Sequence, residues 1–135
     1  RIIRFIHEKT FQELISEESI LFQEFLNDIT INGEISLIMI GGKFTHAVKK
    51  IAKMGDFRVQ MIMCIVKDMS DSQSKFARMH REMSFLSCYA RVDIIYDNNN
   101  QPSLSELELI EPELWFRNNP NSAEILSKEI TKLFL

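Results

Sequence analysis

The sequence predicts an α+β domain built on a mostly antiparallel sheet. Three observations lead there. Gly41-Gly42 sits between two strand-like runs, a second pair of β-rich runs brackets "NNNQ" (98–101), and other segments carry apolar residues at helical spacing. A chain of 135 residues, 45% hydrophobic and 26% charged, has the size and composition of one globular domain spanning residues 1–135. Its longest apolar stretches, such as 35–40, are too short to cross a bilayer. The opening "RIIRFIHEKTF" lacks a secretory apolar core, so a cytoplasmic protein without membrane contact is expected. The first residue is arginine rather than methionine and runs straight into element-like sequence, so the chain reads as a fragment of a longer protein.

The elements follow in order. "EKTFQELISEES" places Phe11, Leu14 and Ile15 on one side of a helix, with Thr10 and Glu13 offering a capping-box start. "ILFQEFL" (20–26) reads as a buried strand and "NDITING" (27–33) as a loop. "EISLIMI" and "KFTHAVKKI" flank the glycine pair as a tight hairpin, and "FRVQMIMCIV" (57–66) is a further strand entered through Gly55 and Asp56. From Ser74 to Ser87, Phe76, Met79, Met83 and Leu86 recur at threes and fours, which predicts a helix. "YARVDIIYD" (89–97) and "PSLSELELIE" (102–111) form the second hairpin, and "NPNSAEILSKEITKLFL" closes the chain as a helix starting near Pro120 to Ser122.

Charge excludes some functions. A net charge of −3 argues against broad electrostatic binding of nucleic acid, which needs a basic surface to release counterions. Cys64 and Cys88 form no CxxC, and His7, His46 and His80 have no ligand spacing, so reduced, mostly buried thiols are expected rather than a zinc site.

The second hairpin carries the chemistry. Strand alternation puts Leu104, Glu106, Glu108 and Ile110 on one face, with Leu107 and Leu109 on the other. If 98–101 is the loop, Asp97 faces Pro102, Asp93 lies opposite Glu106, and Arg91 lies opposite Glu108. Three carboxylates and an arginine then converge. Two readings fit: an exposed face on which Arg91 neutralises one acid and water solvates the others, or a divalent-cation site of clustered acids. Basic residues concentrate in "THAVKKIAKMGDFRVQ", where Lys50 ends one strand and Arg58 starts the next. The turn between them brings both cations toward one anionic group, unless the segment is simply a solvated loop.

Taken in order, "FQEFLNDI", "GEISLIMIGGKFTHAVKK", "GDFRVQ", "YARVDIIYD" and "LSELELIEP" resemble successive motifs of the ATP-grasp superfamily, most closely its glutathione-synthetase-like carboxylate-amine ligases. The resemblance covers nearly the whole chain and implies the C-terminal subdomain of the fold, with helices packed on one face of the sheet. It implies that Gln23, Glu24, Phe25 and Leu26 form the hinge whose backbone meets adenine, with Glu24 and Leu26 at the contacting positions, and that Glu34 holds the ribose hydroxyls. Lys50 and Arg58 match the catalytic basic positions near the triphosphate and acyl-phosphate. Asp93, Glu106 and Glu108 match the magnesium-binding acids, although the last is frequently asparagine in relatives.

The cofactors implied are ATP and magnesium, with manganese as a substitute. The chemistry implied is phosphoryl transfer to a carboxylate, then attack by an amine or similar nucleophile. A homodimer is compatible with the resemblance. Two departures stand out. The family's glycine-rich phosphate loop and substrate-binding domain would lie before Arg1, and "MIMCIVKD" replaces the acidic, glycine-rich turn that follows "GDFRVQ" in many relatives. Three functions therefore compete: part of an active ligase, a degenerate module that binds nucleotide or protein without catalysis, and a plain interaction domain with an acidic surface hairpin.

Overall fold

The computed structural model describes residues 8–52, 59–66 and 87–135. In chain order the elements are α1 (Glu8–Glu17), α2 (Asp28–Ile31), β1 (Glu34–Ile40), β2 (Lys43–Ala52), β3 (Val59–Val66), β4 (Tyr89–Tyr96), β5 (Pro102–Glu108) and α3 (Pro120–Thr131). The strands form one sheet in the order β3-β2-β1-β4-β5, and every pairing is antiparallel. The α+β expectation is met. No helix among the described residues is long and apolar enough to cross a membrane.

β1 is the central strand because nearly all of its side chains suit burial. Leu37, Ile38, Met39 and Ile40 are each at most 1% exposed, and burying an aliphatic side chain of this size contributes roughly 1.5–3 kcal/mol. Alternation sends them to two cores. Leu37 and Met39 join Ala47, Ala90, Val92 and Ile94 on one face. Ile38 and Ile40 join Val48, Leu114 and Trp115 on the other, where Ile125 and Leu126 of α3 pack. Helix α3 opens with Pro120 in its first turn, and the Ser122 hydroxyl donates to the Asn119 carbonyl at 2.6 Å.

Both hairpin expectations hold, each with a detail of its own. Gly41 and Gly42 have φ of +56° and +73°, the left-handed conformation at both central residues that a two-residue turn matched to strand twist requires. In the second hairpin the Asp97 carboxylate accepts from the Asn99 and Gln101 backbone N–H groups at 2.9 and 2.8 Å. The Asp97 N–H also donates to the Gln101 carbonyl at 2.8 Å, and Asn100 turns the chain at φ +58°. The loop therefore closes one residue tighter than expected, and Tyr96, not Asp97, faces Pro102. A bulge at Ser105 absorbs the difference, because Ile94 pairs with Leu104 while Asp93 pairs with Glu106. Leu104 consequently shares the face of Ile94 rather than that of Glu106, contrary to simple alternation.

Other local expectations give way. Residues 20–26 form no strand, and Leu21 and Phe22 are largely exposed. Among the described residues this short apolar run finds no neighbouring strand, and the Phe22 ring instead packs on Phe11 at a centroid distance of 5.4 Å. Within 27–33 the chain makes the single turn α2 before Gly33, rather than a plain loop. Helix α1 begins at Glu8, so Thr10 lies inside it instead of capping it. The helix expected over 74–87, apart from Ser87, and the Gly55-Asp56 turn lie outside the described residues.

Gly33 sets the entry into β1. Its φ is +78°, and a Cβ there would lie 2.0 Å from the Lys50 carbonyl oxygen. No flexible side chain can yield, since the obstacle is backbone. Gly33→Ala is expected to cost about 2 kcal/mol or more, from left-handed strain plus displacement of the β1–β2 pairing. Urea unfolding measures this, and a loss under half of that value contradicts the close approach.

Candidate functional site

The strand registers gather one polar constellation. Glu34 on β1 faces Lys50 on β2. Ser36 faces Asp93 on β4, and Asp93 faces Glu106 on β5. Ile38 faces Arg91, and Arg91 faces Glu108. Cross-strand partners project to the same side, so these groups share the face that also holds the α3 core.

The contacts are ionic and mostly buried. Lys50 Nζ lies 2.5 Å from Glu34 Oε2 and 3.1 Å from Asp93 Oδ2. Arg91 Nε donates to both Asp93 oxygens at 3.0 Å, and its Nη2 lies 2.9 Å from Asp93 Oδ2. That same Nη2 bonds Glu108 and sits 3.6 Å from Glu106. Only 1% of the Asp93 side chain is exposed, against 57% for Glu106. The constellation therefore has a buried end at Asp93 and an open end at Glu106.

Among the described residues four carboxylates meet two cations, which leaves an excess of negative charge. Glu106 shows the consequence. Partial burial, then the charges of Glu108 and Asp93, push its pKa above the ordinary carboxylate value, and Arg91 only partly offsets them. Burial weighs against the charge on Arg91, but its hydrogen bond with Asp93 and the three nearby carboxylates outweigh burial and raise its pKa. Asp93, Glu106 and Glu108 can each offer an oxygen within 4.8 Å of the others. The Ser36 hydroxyl, wholly buried in register with Asp93, has no hydrogen-bond partner among the described residues.

The expected site residues are distributed unevenly. Glu34, Lys50, Asp93, Glu106 and Glu108 come together. Lys50 lies inside β2 rather than at its end, and Arg58 falls outside the described residues. Gln23 to Leu26 take no part in the ionic cluster. Instead the Asn98 amide, in the second hairpin's loop, donates to Glu24 Oε1 at 2.8 Å and to the Phe25 carbonyl at 3.1 Å, and its oxygen accepts from Asn27. A separate cleft, lined by Phe11, Ile15, Ile20 and Phe22 together with Ser16, Glu17, Glu18 and Ser19, holds none of the clustered charges.

Sequence reasoning missed two participants and understated a third. Arg91 was placed on the face as the neutraliser of one acid, yet it touches three. Its position two residues before Asp93 on one strand was the available signal. Asn98 and Trp115 carried no usable signal, because each acts through a contact distant in sequence. Cys88 is half-buried and free. Burial lowers the pKa of His46, while the Leu114 backbone acts in the opposite direction.

No family model matches the sequence, and no curated protein matches it. The fold does match solved structures. D-cycloserine synthetase DcsG superposes with a TM-score of 0.69 at 20% identity, covering 84% of this chain and 42% of that one. The ATP-grasp ligase PsnB, complexed with a minimal precursor, superposes at 0.54 and 17% identity, covering 81% of this chain and 36% of that one. Over the part it spans, which is less than half the length of either structure, the chain shares the fold of these two proteins.

Two substitutions test the electrostatics. Asp93→Ala leaves Arg91 and Lys50 short of a buried partner and is expected to cost about 3–5 kcal/mol in chemical denaturation. Glu106→Gln works the other way. A carboxyl whose pKa is raised by folding opposes folding when ionised, so the neutral amide stabilises the chain at neutral pH. That gain should fade as pH falls from the raised value through the ordinary 4.5, where the native carboxyl is protonated in both states. Melting temperatures across that range decide it, and a gain that grows on acidification has the wrong sign.

Proposed function

We propose that this chain is the C-terminal nucleotide- and metal-binding part of an ATP- and magnesium-dependent ligase. In this reading the parent protein activates a carboxylate as an acyl-phosphate for attack by an amine or similar nucleophile. One observation carries the proposal: an ordered set of charges, Glu34, Lys50, Asp93, Arg91, Glu106 and Glu108, on one sheet face of an ATP-grasp fold. A surface hairpin needs no carboxylate as deeply buried as Asp93.

The residues fit a hard divalent cation. Asp93, Glu106 and Glu108 supply oxygen donors at mutual reach, their excess charge disfavours ionised Glu106, and the orphaned Ser36 hydroxyl borders the same place. Held by Asp93, Glu106 and Glu108, magnesium would supply positive charge to offset the negative charge that develops during phosphoryl transfer. The chain's own residues position and neutralise. Gln23 to Leu26 meet the adenine edge, steadied by Asn98. Glu34 accepts from the ribose hydroxyls. Lys50, Arg58 and Arg91 supply positive charge to the phosphates and to the acyl-phosphate, since phosphoryl transfer depends chiefly on positioning and electrostatics. No nucleophilic side chain is required.

A non-catalytic module is the second reading, favoured by "MIMCIVKD" where relatives carry a glycine-rich turn. The full-length gene product separates the two. ATP with magnesium at about a hundred times its Kd is expected to add about 2.7 kcal/mol of stability, read as a rise in melting temperature. Glu106→Ala with Glu108→Ala should abolish that rise. Hydroxamate formation from a panel of carboxylic acids, with hydroxylamine as the trap, is expected for a ligase. Binding without hydroxamate selects the second reading, and no thermal response removes both. The 135-residue chain alone is expected to bind ATP weakly, so micromolar affinity there contradicts its incompleteness as a clamp.

A further inference from the structure

Trp115 is the chain's one tryptophan. It is 6% exposed, and its φ of 46° lies in the left-handed region, where a bulky side chain is an outlier. The following turn holds it there, with the Asn118 N–H donating to the Trp115 carbonyl at 2.8 Å. Ile38, Ile40 and Val48 pack with it in the core below the site. In this conformation the indole ring centroid lies 5.7 Å from Lys50 Nζ and 5.4 Å from Arg91 Cζ, both at cation–π distance. Strain that a fold maintains at a functional constellation is a lead to a role.

The crowding at Asp93 indicates which role. Its Oδ2 already receives Lys50 Nζ, Arg91 Nε and Arg91 Nη2, at 3.1, 3.0 and 2.9 Å. An oxygen bound to magnesium at about 2.0–2.1 Å cannot also keep three cationic donors. Contacts at that oxygen must then be surrendered, which leaves Lys50 its pairing with Glu34 and takes Arg91 from its carboxylate partners, and a long cationic side chain held at fewer points turns to water. We propose that Trp115 is a positioning residue whose indole face keeps Lys50 and Arg91 over the site when Asp93, Glu106 and Glu108 turn to a divalent cation. The two cations stay available to an anionic ligand. The proposal rests on the metal reading above, and the test separates the two.

The 135-residue chain is titrated with magnesium chloride while nuclear magnetic resonance follows three sets of signals. These are the carboxylate carbons of Asp93, Glu106 and Glu108, the side-chain protons of Lys50 and Arg91 shielded by the indole, and water exchange of the Arg91 Nε–H. The expected result is that the carboxylate signals move while the shielding persists and Arg91 exchange stays slow. In Trp115→Leu, metal should speed that exchange about tenfold, the scale of losing one desolvated cation–π contact. Tetrafluorotryptophan at the same position keeps the shape, cancels much of the ring's negative face, and should reproduce the acceleration. Carboxylate signals that move while native Lys50 and Arg91 lose their shielding overturn the proposal, as does slow exchange in both altered proteins. Carboxylate signals that stay fixed overturn the metal reading, and the proposal with it.

Discussion

Asp93 carries a carboxylate into a sheet face with 1% of its side chain exposed, and an ionised group there must bring its counter-charge with it. Arg91 supplies one from the same strand, and Lys50 supplies the other from two strands away. Register becomes a matter of charge as well as packing. A one-residue slip of β4 sends Asp93 into the core of Leu37 and Val92 and strands both cations. The same requirement accounts for the bulge at Ser105, which lets a tight loop at Asp97 coexist with the pairing of Asp93 and Glu106.

Around that carboxylate, backbone geometry is spent on placing charge. Gly33 admits the Lys50 carbonyl at a distance no side chain would permit, and so brings Glu34 against Lys50. Trp115 accepts a left-handed backbone and lays its ring beside the two cations. The α3 core lies on the same face, so apolar packing lowers the local dielectric under the ion pairs. Charge outnumbers counter-charge only toward the open side at Glu106, where ligand and solvent can reach.

The ordered motifs and the fold agree, and the site was partly legible. Glu106 and Glu108 stood out because like charges on one strand face need a reason, and the hairpin placed Asp93 and Arg91 beside them. A loop one residue shorter than simple alternation implies and a bulge at Ser105 cancel, so Asp93 and Arg91 keep Glu106 and Glu108 as partners while Leu104 moves to the opposite face. The run at 20–26 was misread because hydrophobicity without a partner strand does not distinguish a strand from a segment packed on a nearby helix.

Alternation, turn residues and helical spacing are local properties, and the sequence by itself determined the strands of both hairpins, the closing helix and the acidic face. The tertiary structure alone decided that Lys50 reaches Asp93, that Arg91 binds three acids, that Asn98 steadies residues 24–27, and that Trp115 lies against two cations. Those contacts join residues brought together by the order of strands and by bends in the backbone. Sheet order and left-handed conformations at non-glycine residues leave no periodic mark in the chain.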